Sequence, residues 1–231
     1  MKIKVFYILH AGGFASSLNA ILPYFNESIE LIVIEYAGRG IRSSEVYYNN
    51  FNEMVQDIYK QIMKQTSNND FIIWGHSLGA IVAYEICHLL QDADNKNLKH
   101  VIISGQDAPN YDAVRIRYSN LSGDERKKQI ISFGGIKNEL EKNTEWLQYF
   151  INYIESDLFL LEKYTYITRK KLNYQCLLLQ GKEDESINLE KSKWDELFTH
   201  EVKCMTFNGG HFFMFDNTLE VITFINEYIK T

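Results

Sequence analysis

The hydrophobic residues fall into two kinds of pattern that alternate along the chain. Lys4–Leu9, Leu31–Ile34, Phe71–Trp74, Val101–Ile103 and Cys176–Leu179 are short, nearly unbroken apolar runs, the mark of strands covered on both faces. Between them the spacing turns helical. Leu18, Ile21, Leu22 and Phe25 predict a short helix, Phe51, Met54, Val55, Ile58, Ile62 and Met63 a longer one, and Ile81, Val82, Tyr84, Ile86 and Leu89 a third. A second alternation follows late in the chain, with a helix through Trp194 and Leu197 and a strand through Val202 and Met205. Asn217, with Glu220 three residues on, predicts a capping box at the start of a closing helix.

Strands alternating with helices predict an α/β fold: a mostly parallel central sheet, helices on both faces, and ligands at the carboxyl ends of the strands. From about 112 to 171 the rhythm changes, because helical spacing and aromatics continue without a strand. That stretch is expected to be a helical lid insertion within a single domain spanning 1–231. Most of its apolar residues, such as Trp146, Leu147, Phe150, Ile151, Ile154, Leu158, Leu161 and Tyr164, are expected to hold the lid together, and a minority to touch substrate in a pocket under its inner face.

The chemistry enters at the Phe71 run. It leads into Gly75-His76-Ser77-Leu78-Gly79 and then directly into a helical stripe, which is the strand, turn and helix context of a Gly-x-Ser-x-Gly nucleophile elbow. Ser77 is therefore the candidate nucleophile, on a strained turn with both glycines needed for close approach of strand and helix. The first run ends in His10-Ala11-Gly12-Gly13. In an α/β hydrolase, such a loop and the residue after the nucleophile donate the oxyanion-hole N–H groups, here Ala11 and Leu78.

The acid and the base come later, in the order that fold requires. Asp184, in Gly181-Lys182-Glu183-Asp184-Glu185, follows a late strand, and His211, in Gly209-Gly210-His211, follows the last. Asp107, after the strand that follows the elbow helix, is a rival acid, while Glu183 and Glu185 read as solvent-facing loop carboxylates. Of the six histidines only His211 follows a final strand. His76 must point away from the Ser77 hydroxyl, and His10 is placed to shape the pocket.

Composition narrows the partners. At 231 residues, with 24 Lys and Arg against 30 Asp and Glu and no dense basic block, the chain is mildly acidic, so no nucleic acid partner is expected. No apolar run approaches the length of a membrane span, and Met1-Lys2-Ile3-Lys4-Val5 lacks signal-peptide organisation. The expectation is a cytoplasmic protein without a membrane association. Cys87, Cys176 and Cys204 have no metal-ligand spacing and read as small buried side chains. No metal or cofactor is expected.

Taken together, Ala11-Gly12-Gly13, Gly38-Arg39-Gly40, the elbow pentapeptide, Phe133-Gly134-Gly135, Ser156-Asp157 with Leu161-Glu162 and Tyr164, Gly181 to Asp184, and Gly209-Gly210-His211 give the chain a resemblance. Over nearly its whole length it resembles the type II thioesterases that accompany nonribosomal peptide and polyketide synthetases. It also resembles the related medium-chain thioesterase of fatty acid synthase. The resemblance assigns the triad to Ser77, Asp184 and His211. It implies hydrolysis, without metal or cofactor, of acyl thioesters on the phosphopantetheine arm of a carrier protein, by a monomer that edits stalled or misprimed acyl groups. Arg115, Arg117, Arg126, Lys127 and Lys128 are candidates for docking an acidic carrier. The chain departs from the family at Leu9 and Ala37, where proline is usual, and at Glu183, where the family often has aspartate. A carboxylesterase for small esters and a binding module without activity are the rival readings.

Overall fold

A run buried on both faces can only lie inside a layered fold, and that is where these runs lie. In the computed structural model, which describes residues 2–66, 69–111, 117–136, 143–188 and 193–230, they become β1 (Ile3–Ile8), β2 (Ile29–Ile34), β3 (Phe71–His76), β4 (Leu98–Ser104), β5 (Gln175–Gly181) and β6 (Lys203–Phe207). The strands form one sheet in the order β2-β1-β3-β4-β5-β6. Each neighbouring pair is parallel. Every residue of the central β3 is buried, whereas the edge strand β6 buries only Phe207.

The strand order places the site. From β1 the chain steps outward to β2, then crosses back so that β3 pairs with the other side of β1. At such a switch point the loops leaving the two strands diverge and open a crevice at their carboxyl ends. The loops in question are those of Ala11 and Ser77.

The helices α1 (Phe51–Thr66) and α2 (Leu78–Asp92) match their stripes. In α1 the apolar stripe is buried and the rest faces outward, while α2 is buried nearly all round because it lies between the sheet and α1. The last helix, here α5 (Thr218–Tyr228), packs instead against the Leu22–Tyr24 turn, where Asn226 Nδ2 donates to the Tyr24 carbonyl at 2.9 Å. Over the carboxyl ends of the strands lie α3 (Gly123–Ser132) and α4 (Thr144–Glu162). They share a small core of their own, made by Ile130, Leu147, Ile151 and Leu158.

Three local expectations are corrected. The helix over Leu18–Phe25 is two 3₁₀ segments, Ala15–Ala20 and Leu22–Tyr24, because Pro23 has no N–H with which to continue a helix. Among the described residues, the helix through Trp194 and Leu197 is a 3₁₀ turn, Trp194–Glu196. Asn217 makes no side-chain cap; its amide donates to the carbonyls of Asn208 at 2.6 Å and Phe213 at 3.1 Å and so braces the preceding turn. A capping box forms instead at Ser122 and Glu125. Among the described residues, no helix is long and apolar enough to cross a membrane.

Candidate active site

From Phe71 to Tyr84 every residue but one is buried, and that one is Ser77. Its backbone adopts φ 54° and ψ −120°, a positive φ with a ψ outside the left-handed helical region, which is the strain expected of the turn. Strand and helix meet so closely that a Cβ on Gly75 would lie 2.2 Å from the Gly79 carbonyl oxygen, and a Cβ on Gly79 would lie 2.2 Å from that of Ile8. Ser104 braces the turn from behind. Its carbonyl accepts the Ser77 N–H at 2.8 Å, while its buried hydroxyl meets Trp74 Nε1 and His76 Nδ1, both at 2.9 Å, and the Gly75 carbonyl at 3.3 Å. One hydroxyl proton satisfies all three if Trp74 and His76 donate and Ser104 donates to Gly75. The His76 ring is thereby held on Ser104.

Asp184 and His211 are brought together by two loops that strap each other. Lys182 N–H donates to the Phe207 carbonyl at 2.8 Å and Glu183 N–H to that of Gly209 at 3.0 Å; the Glu183 carboxylate accepts the Gly209 N–H in return. Glu183, expected to be a plain solvent-facing carboxylate, thus pins the loop that carries His211. The His211 Nδ1–H donates to Asp184 Oδ2 at 2.8 Å, and the Ser186 hydroxyl lies 3.0 Å from the same nitrogen and 2.5 Å from Asp184 Oδ1. Burial pushes the Asp184 carboxyl up, but the hydrogen bond and charge of His211, with two bonds from Ser186, outweigh it and hold it below the ordinary carboxylate range. The rival acid Asp107 accepts the Asn188 N–H at 3.1 and 3.2 Å. Ser77, Asp184 and His211 all line one cavity. Sequence reasoning missed Ser186, although a hydroxyl two residues after an aspartate is a common local brace.

The surrounding imidazoles are held neutral. Burial, then the charges of His211 and Arg39, take His10 down to about 3; burial, then His211 and His10, take His76 well below its usual value. Its ring centroid is 5.1 Å from that of His211. Away from the site, burial brings His88 down to about 4. These folded-state values lie below that of an unfolded histidine, about 6.5, so the unfolded chain takes up protons first and stability falls as pH drops through that value. Between pH 7 and pH 5 His10, His76 and His88 each take stability away in this direction. Urea midpoints measured at the two pH values should fall accordingly. A midpoint that holds steady would mean that these rings are not excluded from protonation.

The N–H groups of the first loop are divided between structure and site. Gly12 N–H donates to Asp157 Oδ2 at 2.7 Å and Gly13 N–H to the His10 carbonyl at 3.0 Å. Among the described residues no acceptor takes the Ala11 N–H or, at the start of α2, the Leu78 N–H. The cavity beside them has a volume of about 1880 Å³. Of the eight apolar lid residues expected mainly to hold the lid together, Trp146, Phe150, Ile154, Leu158, Leu161 and Tyr164 line this cavity. α4 rests on α3 through Leu147, Ile151 and Leu158, and its neighbouring face has the cavity behind it.

An elbow serine at the switch point of a parallel sheet, with an acid and a histidine from the last two strand loops, defines an α/β hydrolase. Residues 4–229 match the thioesterase domain family, and the chain belongs to it. It is similar to the gramicidin S biosynthesis protein GrsT of Aneurinibacillus migulanus, 24% identical over 230 residues, 99% of this chain and 90% of the relative. It is also similar to the medium-chain S-acyl fatty acid synthase thioesterase of Anas platyrhynchos, 24% identical over 221 residues, 95% and 87% of the two chains. Among solved structures, that of ClbQ from the colibactin NRPS/PKS pathway shares the fold, with a TM-score of 0.92, 24% identity, and coverage of 100% of this chain and 98% of the other.

Proposed function

We propose that this chain, acting as one domain with a lid over 112–171, hydrolyses acyl thioesters on the phosphopantetheine arm of a carrier protein. Its service is to clear stalled or misprimed acyl groups from a nonribosomal peptide or polyketide assembly line. The observation that carries the chemistry is the lone accessible residue of the elbow, Ser77, sharing a cavity with the Asp184–His211 pair. His211 takes the Ser77 proton as Oγ attacks the thioester carbonyl, and the carbonyl oxygen becomes an oxyanion held by the Ala11 and Leu78 N–H groups. The carbon–sulfur bond breaks, the proton passes from His211 to the departing thiol, and the acyl group stays on Ser77. Water, deprotonated by His211, then attacks the acyl-enzyme and returns the serine. Asp184 fixes the tautomer that leaves the other nitrogen of His211 free to act as the base.

The carrier is supported by the relatives and by the size of the cavity. Ordinary small-molecule pockets are about 300–1000 Å³, so a small ester would leave most of this one empty, whereas an acyl chain with the end of a pantetheine arm would use it. For docking an acidic carrier, Arg117 and Lys128 are exposed and Lys127 half-buried. Arg126 is occupied by Glu155 at 2.6 Å and by the Leu121 carbonyl, and Arg115 lies outside the described residues.

Intact-mass measurement of acylated carrier protein tests the reading. Wild type should discharge it, and the same acyl group on a small thiol should also be cleaved. Reversing the charges of Arg117, Lys127 and Lys128 together should slow discharge of the carrier by about 10-fold, through lost electrostatic steering, and leave the small thioester within about 2-fold. Equal losses on both substrates would remove these residues from docking. A carrier left loaded while small oxygen esters are cleaved would instead make the protein a carboxylesterase.

A further inference from the structure

Outside the reacting groups, one fully buried ion pair joins the lid to the loop beside the nucleophile. Asp157, on α4, and Arg39, in the loop after β2, have no exposed side-chain surface. The pair is bidentate, with Arg39 Nη2 on Asp157 Oδ1 at 2.7 Å and Nη1 on Oδ2 at 2.8 Å. Oδ1 also accepts the Tyr47 hydroxyl at 2.9 Å. The rings of Tyr36, Tyr47 and Tyr153 surround the guanidinium, 5.1 to 5.3 Å from its carbon. A charge pair so enclosed is costly to desolvate and adds little stability over an apolar pair of similar shape.

What it does hold is the backbone of Gly12 and Gly13. Asp157 Oδ2 accepts the Gly12 N–H at 2.7 Å, and Arg39 Nη1 donates to the Gly13 carbonyl at 3.2 Å. Gly12 has φ +73°, and a Cβ there would lie 2.1 Å from Ile154 Cγ1. The helix therefore sits directly on this turn. Two adjacent glycines are the loosest backbone a loop can have, and an oxyanion donor works only within about 2.7–3.1 Å of the developing charge.

We propose that Asp157, fixed by Arg39, is a positioning residue: through the Gly12 N–H it sets the peptide that follows Ala11 and so aims the Ala11 N–H at the oxyanion. The inference rests on the thioesterase reading of Ser77. It makes the seating of α4 a condition of catalysis, since a helix lifted at Asp157 would release the loop that holds one of the two donors.

The test compares Asp157→Leu, Arg39→Met and the paired variant Arg39→Met/Asp157→Leu with wild type. Three quantities are read: melting temperature, kcat and KM on a small acyl thioester, and the inhibition constant of a trifluoromethyl ketone, which takes the Ser77 oxygen at its carbonyl carbon and places its own oxygen in the oxyanion site. Each single variant leaves a buried group unpaired and is expected to melt far below wild type. The paired variant should melt above either single variant, because no charge is stranded, and below wild type, because the Gly12 N–H and the Tyr47 hydroxyl lose their acceptor. Its kcat should nonetheless fall by about 10- to 100-fold, with KM within about 2-fold, and the ketone should weaken by the same factor as kcat. A paired variant that recovers both stability and kcat would reduce the clamp to a structural contact, and a fall in kcat with unchanged ketone binding would place the effect elsewhere than the oxyanion. A wild type that neither cleaves thioesters nor binds the ketone would sink the thioesterase reading itself and this inference with it, a result that no variant is needed to recognise.

Discussion

Ser77→Ala is expected to lower the turnover of an acyl thioester by about 10⁴-fold or more, with no loss of folded protein. The nucleophile is an all-or-none participant, and what remains after its removal is the residual effect of binding and oxyanion stabilisation. His211→Ala should cost about as much, and the double variant should be little worse than either, because in the proposed mechanism the two act in one step and such effects do not add. Asp184→Asn should also lose several powers of ten by favouring the wrong tautomer of His211, whereas Ser186→Ala, which removes only a brace from Asp184, should cost a few-fold. Steady-state rates with thermal melts for each variant make the check. If Ser77→Ala retained a tenth of wild-type turnover, the elbow would not be the reacting centre. If His211→Ala and Ser77→Ala added in free energy, they would not share a step.

The second large effect is on the elbow's frame. Gly79→Ala should destabilise the protein by about 3 kcal/mol, at the upper end of ordinary overpacking, and lower kcat by about 100-fold. A Cβ at Gly79 would stand 2.2 Å from the Ile8 carbonyl oxygen and 2.7 Å from that of Leu9. Both neighbours are backbone, at the last residue of β1 and the one after it, so no side chain can swing aside, and α2 must back away from β1. Ser77 precedes α2 directly and moves with it, and a displacement of about 1 Å at a reacting group is enough for a loss of that size. By contrast, Ala80→Gly, one residue on, adds no atom and should cost about 2 kcal/mol, from helix propensity and the loss of one buried methyl, with kcat near wild type. Denaturant midpoints alongside kcat separate the two; a Gly79→Ala protein with wild-type midpoint and rate would show that strand and helix are not in contact there.

Much of this was legible from the chain alone. The apolar runs gave five of the strands directly because burial on both faces selects hydrophobic residues at consecutive positions, and β6 was read from the late alternation of a helix with a strand through Val202 and Met205. The elbow was legible because its strand, turn and helix are consecutive in sequence and each imposes its own residue preference. Residue order alone suggested His211, since its loop is the last to leave the sheet. The segments read less well are those where a local signal had a competitor. Asn217 carries the letters of a cap, but its Nδ2 donates to the Asn208 and Phe213 carbonyls, and with the side chain held there its oxygen accepts no N–H from the first turn of the helix. Pro23 broke a helix whose apolar spacing was otherwise sound.

The sequence by itself determined the alternation of strands and helices, the strained turn and the order of the candidate serine, acid and histidine, because each depends on neighbours within a few residues. Only the tertiary structure decided that Asp184 and not Asp107 meets His211, that Glu183 pins the histidine loop, and that most of the lid's apolar residues face a cavity. It alone joined Arg39 to Asp157, which are 118 positions apart. Periodicity records which face of an element is buried but not what buries it. A charged residue's partner is fixed by how strands are ordered and how a distant helix settles over their ends, and that depends on the packing of the whole chain.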